Sequence, residues 1–153
     1  SASLAIQVAR HWGCEVHVAT RAERERGRAL ELGAASVGGY DDAPPAPLDA
    51  AVTFAPVGSV VVAALRAVGR GGTVAINAIH LDGIPAFPYE DLWWERSLRS
   101  VANYTRADAR ELLDLAAAIP IRTEIEVLPL AEGAAALGRL AAGTLAGTAV
   151  LVP

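Results

Sequence analysis

SASLAIQVARHWG-CEVHVA-TR, residues 1–21, decides the fold class of this chain. Residues 1–13 have the spacing of a helix, because three apolar side chains recur at intervals of four residues: Leu4, Val8 and Trp12. Gly13 stands where a helix often ends in a left-handed residue. Residues 14–19 then have the composition of a short strand, which the polar pair Thr20-Arg21 follows. Helix, strand and polar turn in this order are typical of the second half of a βαβ unit.

The start of this helix is a candidate phosphate-binding turn. In dinucleotide-binding βαβ units, the motif Gly-x-Gly-x-x-Gly/Ala links the first strand to the helix. Ala2 fits its last position, so we expect the first strand and the first glycines to lie upstream of Ser1. The amides near Ala2, Ser3 and Leu4 would then face a pyrophosphate, since helix N-termini attract anions. An ordinary helix start is the competing interpretation, because alanine is common there.

Helices and strands alternate along the rest of the chain. The predicted helices are at residues 20–32, 57–68, 89–95, 106–118 and 131–142, and the strands at 35–40, 48–54, 73–78, 98–103, 124–128 and 149–152. Thr105-x-x-Asp108 resembles a capping box for the helix that follows it, Gly33 ends the first helix of this list, and the glycine-rich residues 69–72 form a turn. Apolar strands separated by helices predict an α/β, Rossmann-like doubly wound parallel sheet that lacks its first strand. That strand normally lies in the middle of the sheet. We therefore expect the chain to fold poorly alone and to take this strand from an upstream segment, covalent or in a second chain.

Composition limits the class of protein. Hydrophobic residues make up 53% and charged residues 20%, which predicts a globular chain, and 153 residues suggest one domain. The net charge of −4 with no basic stripe argues against nucleic acid, and no apolar run reaches the roughly 20 residues of a membrane span. The single cysteine, Cys14, excludes an internal disulfide and a cysteine-rich zinc site. A reduced, cytoplasmic location fits this composition.

Thr20 and Arg21 predict the choice of dinucleotide. NAD-binding proteins usually place an acid where this strand ends, on the ribose 2′-hydroxyl. Here the acid is absent and a cation follows, which favours NADP over NAD because a guanidinium binds a 2′-phosphate well. In the competing interpretation, Thr20 only caps the next helix through the capping-box pattern Thr20-x-x-Glu23, and Arg21 is a solvated charge. Arg24 and Arg26 either add positive field or lie on the surface.

Ligands of doubly wound sheets bind beyond the carboxyl ends of the strands. The residues at these positions are Phe54, Ala55, Pro56, Ala78, Ile79, His80 and Asn103, and we expect them to face the adenosine and nicotinamide halves of the dinucleotide. Phe54 fits an adenine wall and the core equally well. His80 could serve as a general acid or a metal ligand, but it has no partner motif, so an ordinary loop residue is the favoured interpretation.

Motifs of several other enzyme classes are missing from the sequence. The chain has no lysine, and therefore no Tyr-x-x-x-Lys, and it has neither Gly-x-Ser-x-Gly nor a P-loop. His11, Cys14 and His17 are closely spaced, but the last two straddle a strand start, where alternating side chains make poor metal geometry. We expect no metal site in this chain.

Four segments in order carry a resemblance to a known family. They are SLAIQVA at 3–9, LELGA at 30–34, ALRAVGRGG at 64–72, and EVLPL at 126–130 with Leu137, Leu140, Gly143, Gly147 and AVLV at 149–152. Together they resemble the cofactor-binding half of the medium-chain dehydrogenase/reductase superfamily, and most closely its zinc-dependent alcohol dehydrogenase branch. The resemblance covers essentially all of the chain.

The resemblance implies hydride transfer between NADP(H), or NAD(H), and a small alcohol/aldehyde or ketone substrate. Zinc would act as a Lewis acid in an N-terminal catalytic domain that this chain does not contain. Residues 1–123 would form the dinucleotide-binding domain, and residues 124–153 a return segment that packs toward the catalytic domain. The resemblance assigns no catalytic residue and no metal ligand to this chain, which we expect to be inactive alone.

Two departures from the family pattern leave alternatives open. The family often has an arginine near the glycine before the last strand, and this chain has Thr148. Its glycine-rich strand ends are here Phe54-Ala55-Pro56 and Ile79-His80. A zinc-independent quinone or enoyl reductase of the same superfamily, whose turnover would survive chelators, is one alternative. A non-catalytic nucleotide-binding module is the other.

The predicted strand at 98–103 should lie at an edge of the sheet. An unpaired edge invites pairing with a second copy, which predicts a homo-oligomer. Trp93 and Trp94 come just before this strand. We expect them in the core or in an interface rather than in a substrate pocket.

Overall fold

Helices and parallel strands alternate along the chain, as the sequence predicts. The computed structural model describes residues 2–145 and 147–153. Its α-helices are α1 (Ala2–His11), α2 (Glu23–Glu31), α3 (Gly58–Ala67), α4 (Arg106–Ala118) and α5 (Gly133–Ala141), and short 3-10 helices span Tyr89–Asp91, within the helix predicted at 89–95, and Leu130–Glu132. Its strands are β1 (His17–Ala19), β2 (Ser36–Gly38), β3 (Leu48–Thr53), β4 (Val68–Ile76), β5 (Ser97–Ser100), β6 (Ile125–Pro129) and β7 (Thr148–Val152). The predicted helix at 1–13 includes Ser1, which lies outside the described residues.

Within the described residues, the strands form three parallel sheets, in the orders β1-β2, β3-β4-β5 and β6-β7. The first two sheets belong to a compact unit that ends at Ile119, and the third belongs to a second unit, Pro120–Pro153. This arrangement confirms the predicted Rossmann-like α/β class. The expected sheet is divided between β1 and β3, which are the two strands that the predicted absent strand would separate.

In the part of the larger unit that the structure describes, two apolar clusters form the core. Leu65, Val68 and Val74 pack where α3 covers β4, and the side chains of Leu65 and Val74 are fully buried. The second cluster consists of Ile6, Ala29, Leu32 and Ala34, with Val18 and Val37 packed against it.

The apolar pattern of α1 is only partly covered, with Leu4 and Val8 half-buried. Trp12 is 69% exposed, and the buried residue is Ile6, which packs with Ala29 and Leu32. The spacing of Leu4, Val8 and Trp12 defined a helix correctly, but the position of α2 and its following loop selects which face of α1 is covered.

The two predicted capping boxes have different outcomes. Thr105 caps α4 as predicted: its Oγ1 accepts from the backbone N–H of Asp108 (3.2 Å), and the Asp108 carboxylate accepts from the N–H of Thr105 (2.7 Å). The Thr20 capping box is wrong, because α2 starts at Glu23 with Ala22 as its N-cap and no side-chain cap. Thr20 instead continues the strand ladder, since its N–H donates to the carbonyl of Gly38 (2.8 Å).

Two strand boundaries also differ from the prediction. The glycine-rich stretch at 69–72 was predicted as a turn, but β4 begins at Val68, directly after α3. The irregularity appears instead as a register shift in the pairing of β3 with β4, between Leu48 and Ala50. The strand predicted at 98–103 ends at Ser100, and β5 lies at the edge of its sheet, as expected.

In the second unit, α5 is joined to β6 by an ion pair. Two guanidinium nitrogens of Arg139, Nη1 and Nη2, donate to the two carboxylate oxygens of Glu126, at 2.7 and 2.8 Å. These hydrogen bonds from Arg139 lower the pKa of the Glu126 carboxyl below its ordinary value, and the same pair raises the pKa of Arg139. These charged hydrogen bonds therefore link α5 to β6 in a unit that is too short to form a large core.

This pair predicts a pH-dependent contribution to stability. A carboxyl whose pKa is lowered by folding stabilises the fold above its unfolded pKa, ordinarily 4.5, and that contribution is lost as the pH falls through the lowered value. We expect Glu126→Gln to lower the melting temperature at neutral pH and to differ less from wild type in acid. Thermal unfolding of the product of the complete reading frame between about pH 7 and pH 3 measures this difference. Glu111→Gln, on an exposed position of α4, is the control. A melting temperature of Glu126→Gln that stays below that of wild type by the same amount over this whole pH range would contradict the expectation.

Candidate functional site

The carboxyl ends of β1 and β2 lie side by side. The two strands are parallel, and Ala19 at the end of β1 is paired with Gly38 at the end of β2. Arg21 follows β1 and is exposed, and its guanidinium carbon lies 5.6 Å from the centre of the Tyr40 ring. A cation and an aromatic ring therefore meet at this edge. Arg21 is a candidate from the sequence, whereas Tyr40 is not, although the pairing of parallel strand ends could have indicated it.

Thr20 is held by its backbone at this edge. Its N–H donates to Gly38, and its carbonyl accepts from Nε of Arg26 (3.1 Å). Arg26 is half-buried and also pairs with Glu23, at 3.2 Å. Arg26 therefore contacts the backbone at the end of β1. Arg24 lies in the first turn of α2 and is exposed.

The carboxyl ends of β3 and β4 form a second part of the site. The N–H of Asn77 donates to the carbonyl of Thr53 (2.9 Å), which holds the two strand ends together. Phe54 and Ala55 follow β3 and are half-buried, whereas Pro56 is exposed; Ala78, which follows Asn77, is half-buried. The Thr53 side chain is buried, and among the described residues its hydroxyl has no hydrogen-bond partner.

The loop after β4 is fixed over the start of α3. The N–H of Gly58, the first residue of α3, donates to the carboxylate of Asp82. The backbone of Gly83 approaches Gly58 so closely that a Cβ built on Gly58 would lie 2.2 Å from the Gly83 carbonyl oxygen. Neither Gly58 nor Asp82 was singled out from the sequence, because their hydrogen bond joins positions 24 residues apart and leaves no local pattern.

Ile79 and His80 lie in this loop. Ile79 is 73% exposed, and His80 is exposed with a φ of 58°, in the left-handed region that residues other than glycine rarely adopt. An exposed position is consistent with a ligand contact and assigns no catalytic role to His80.

The remaining candidate residues lie at two other places. Ala2 and Ser3 are exposed and Leu4 is half-buried in the first turn of α1, where the Ser3 carbonyl accepts from the Gln7 side chain (3.0 Å). Asn103 is exposed and accepts from the N–H of Tyr104. Its segment follows β5 past the end of β4, since the N–H of Val101 donates to the Ile76 carbonyl (2.9 Å).

The described part of the chain contains no group of three His, Cys, Asp or Glu side chains placed to hold a metal ion. His17 is instead part of the β1-β2 sheet, where its Nδ1 lies 2.7 Å from Oγ of Ser36 and its Nε2 lies 3.5 Å from a Glu15 carboxylate oxygen. Cys14 is exposed. Within residues 2–145 and 147–153, the helices are too short or too polar to cross a bilayer.

The profile of the zinc-binding dehydrogenase family matches residues 2–118. The chain belongs to this family. It is also 50% identical over 153 residues to the probable alcohol dehydrogenase AdhA of Mycobacterium tuberculosis (strain CDC 1551 / Oshkosh), a match that covers 99% of the chain and 44% of the relative. This zinc-binding dehydrogenase chain thus spans less than half the length of the curated relative it matches. The family predicted from the four segments is confirmed.

Solved structures show the same fold. The alcohol dehydrogenase of the hyperthermophilic archaeon Aeropyrum pernix superposes with a TM-score of 0.80 at 24% identity, over 98% of this chain and 46% of that one. CAD from Helicobacter pylori, solved in complex with NADP(H), superposes with a TM-score of 0.78 at 20% identity, over 97% of this chain and 44% of that one. Both likenesses confirm the fold class predicted from the sequence.

Proposed function

We propose that this chain is the cofactor-binding part of an alcohol dehydrogenase-like oxidoreductase. The complete enzyme would transfer hydride between NADP(H) and a small alcohol/aldehyde or ketone pair. The observation that carries the choice of NADP is the position of Arg21 over the Tyr40 ring, at the edge where β1 and β2 end. Ligands of such sheets bind at this edge.

The residues at the site fit a phosphorylated dinucleotide. Arg21 supplies a planar cation that can donate two hydrogen bonds to a 2′-phosphate. Thr20 stands where an acid would hold an unphosphorylated ribose, so no carboxylate at this position opposes the phosphate. At the ends of β3 and β4, the buried and unpartnered hydroxyl of Thr53 is an additional polar group that a ligand or an ordered water could satisfy. The exposed first turn of α1 presents backbone amides suited to a pyrophosphate.

The described residues of this chain do not fit a zinc ion. They contain no cluster of metal-ligating side chains. We therefore place the Lewis-acid zinc of the family in a catalytic segment outside this chain, together with the substrate pocket. For the same reason, we expect the chain alone to be inactive.

We also propose that the catalytic segment completes the fold at two places. β1 and β3 each have an unpaired side, and Val52 on β3 is 53% exposed, which supports insertion of a further strand between them. In the second unit, Ile125, Val127 and Val150 share one face of the β6-β7 sheet and are exposed. This apolar face supports the interpretation of residues 124–153 as a return segment that packs toward the catalytic domain.

The edge strand β5 supports a homo-oligomer. One side of β5 is paired with β4, and its other side is available for a second copy. Tyr89, Trp93 and Trp94 lie next to this strand with their rings in edge contact, and all three are exposed. A cytoplasmic location remains part of the proposal, on the basis of composition and the single, exposed cysteine.

Assays of the product of the complete reading frame, for turnover, bound zinc and dinucleotide binding, test this function. We expect alcohol-dependent reduction of NADP⁺, bound zinc, and loss of turnover on chelation. Turnover of a quinone or enone that survives chelation would favour the zinc-independent reductase instead. Failure to bind either dinucleotide would contradict an oxidoreductase role altogether and leave a non-catalytic module.

A further inference from the structure

We propose that Arg26 is a positioning residue that fixes the turn carrying Arg21 and thereby sets the preference for NADP over NAD. This inference rests on the proposed function, because it concerns the same dinucleotide site. In it, Arg21 contacts the 2′-phosphate, and Arg26 acts only through the backbone of Thr20.

The first support is the hydrogen bonding of Thr20. Its N–H donates to the Gly38 carbonyl on β2, and its carbonyl accepts from Nε of Arg26 on α2. Both backbone polar groups of Thr20 are therefore held, one by the sheet and the other by the helix. Arg21 is the next residue, so its starting direction is determined by this clamp.

The second support is the placement of the Arg26 guanidinium. Nη1 donates to the Glu23 carboxylate at 3.2 Å, and the side chain is only 30% exposed. Nη2 packs beside Gly39, since a Cβ built on Gly39 would lie 3.5 Å from it. Nε and Nη1 of Arg26 thus donate to protein groups, and the Glu23 carboxylate partly neutralises the charge of the guanidinium.

Arg21 differs from Arg26 in each of these respects. It is exposed, and its guanidinium lies over the Tyr40 ring rather than against the backbone. An exposed cation at the strand ends is suited to reach a ligand, whereas a half-buried cation bonded to a carbonyl is suited to hold the chain. A small displacement of a binding group is enough to weaken a directional phosphate contact.

The test is a double-mutant cycle on the product of the complete reading frame. The variants are Arg26→Gln, Arg21→Gln and their combination, and dissociation constants for NADP⁺ and NAD⁺ are measured by titration. We expect Arg26→Gln to weaken NADP⁺ binding about tenfold and NAD⁺ binding less than about twofold. In the Arg21→Gln background, Arg26→Gln should have little further effect on NADP⁺, because residues that act through one another are not additive.

Two further variants separate positioning from charge and from folding. Arg26→Lys keeps the charge but not the planar set of donors, so we expect it to fold and to lose about threefold in NADP⁺ affinity. Arg28→Gln is the matched control: Arg28 lies on the same helix and has its own i,i+3 glutamate pair, with Glu31. It should change neither affinity.

Each other outcome would overturn the inference. Additive losses in the double variant would make Arg26 a direct phosphate ligand, and wild-type affinity in Arg26→Lys would reduce its role to charge. Equal losses for both dinucleotides would make it merely structural. If Arg21→Gln weakens NADP⁺ while Arg26→Gln does not, the inference fails and the proposed site stands. If neither the wild type nor any variant binds a dinucleotide, this inference and the proposed function both fail.

Discussion

Alanine in place of Gly58 is expected to lower both stability and activity, because its Cβ has no room. The added atom would lie 2.2 Å from the Gly83 carbonyl oxygen and 2.9 Å from the Cα of Ile84, whereas ordinary contact begins at 3.4 Å. Both neighbouring atoms belong to the backbone, which cannot rotate away as a flexible side chain could. The whole loop after β4 must therefore move by about 1 Å.

The size of this effect follows from two opposed terms. In the interior of a helix, alanine is favoured over glycine by about 0.5–1 kcal/mol, which is an upper bound here because Gly58 is the first residue of α3. Overpacking against rigid neighbours costs about 1–3 kcal/mol and therefore wins. The shift also moves the loop with Ile79 and His80, and a displacement of about 1 Å at a reacting centre can cost on the order of a hundredfold in rate. For the product of the complete reading frame, we expect a lower melting temperature and a value of kcat/KM reduced by about 10- to 100-fold.

Gly27→Ala provides the control for this prediction. Gly27 lies inside α2, and a Cβ built there meets no atom within 4 Å. The substitution Gly27→Ala should therefore raise the melting temperature slightly and leave kcat/KM unchanged. Equal melting temperatures and kinetics for Gly58→Ala and wild type would show that the loop yields easily and is not a fixed part of the site.

Glutamine in place of Arg21 should have the largest effect on the choice of dinucleotide. Hydrogen bonds between charged partners contribute about 1.5–3 kcal/mol, so losing the guanidinium should reduce kcat/KM for NADP⁺ by roughly 10- to 150-fold. NAD⁺ has no 2′-phosphate, and its kcat/KM should change less than about threefold. The preference between the two dinucleotides is therefore the quantity to measure.

Arg70→Gln is the matched control for Arg21. Arg70 also stacks on an aromatic ring, with its guanidinium carbon 3.9 Å from the centre of the Trp94 ring, but it lies in β4 near the start of that strand. It should leave the dinucleotide preference unchanged. Parallel losses of NADP⁺ and NAD⁺ turnover in Arg21→Gln would mean that Arg21 does not read the phosphate, and the choice of NADP would have to be withdrawn.

Local sequence rules predicted the elements well where they act within a few residues. Gly13 and Gly33 both have a positive φ after a helix, and Thr105 and Asp108 form the predicted capping box. These signals depend on residues no more than four positions apart, so the chain itself contains the whole interaction. The same applies to the order of helices and strands, from which the fold class and, by resemblance, the family followed.

The sequence by itself thus determined the α/β class, the order of its elements and the candidate role of Arg21. Only the tertiary structure decided that Ile6 and not Trp12 is buried, that Asp82 accepts a hydrogen bond from the start of α3, and that Arg26 donates to the Thr20 carbonyl. The first and second of these join elements distant in sequence. The third joins near positions, but the strand pairing of Thr20 overrides its local capping pattern. In each case the decisive free energy comes from packing and hydrogen bonding between elements, which no periodicity along the chain encodes.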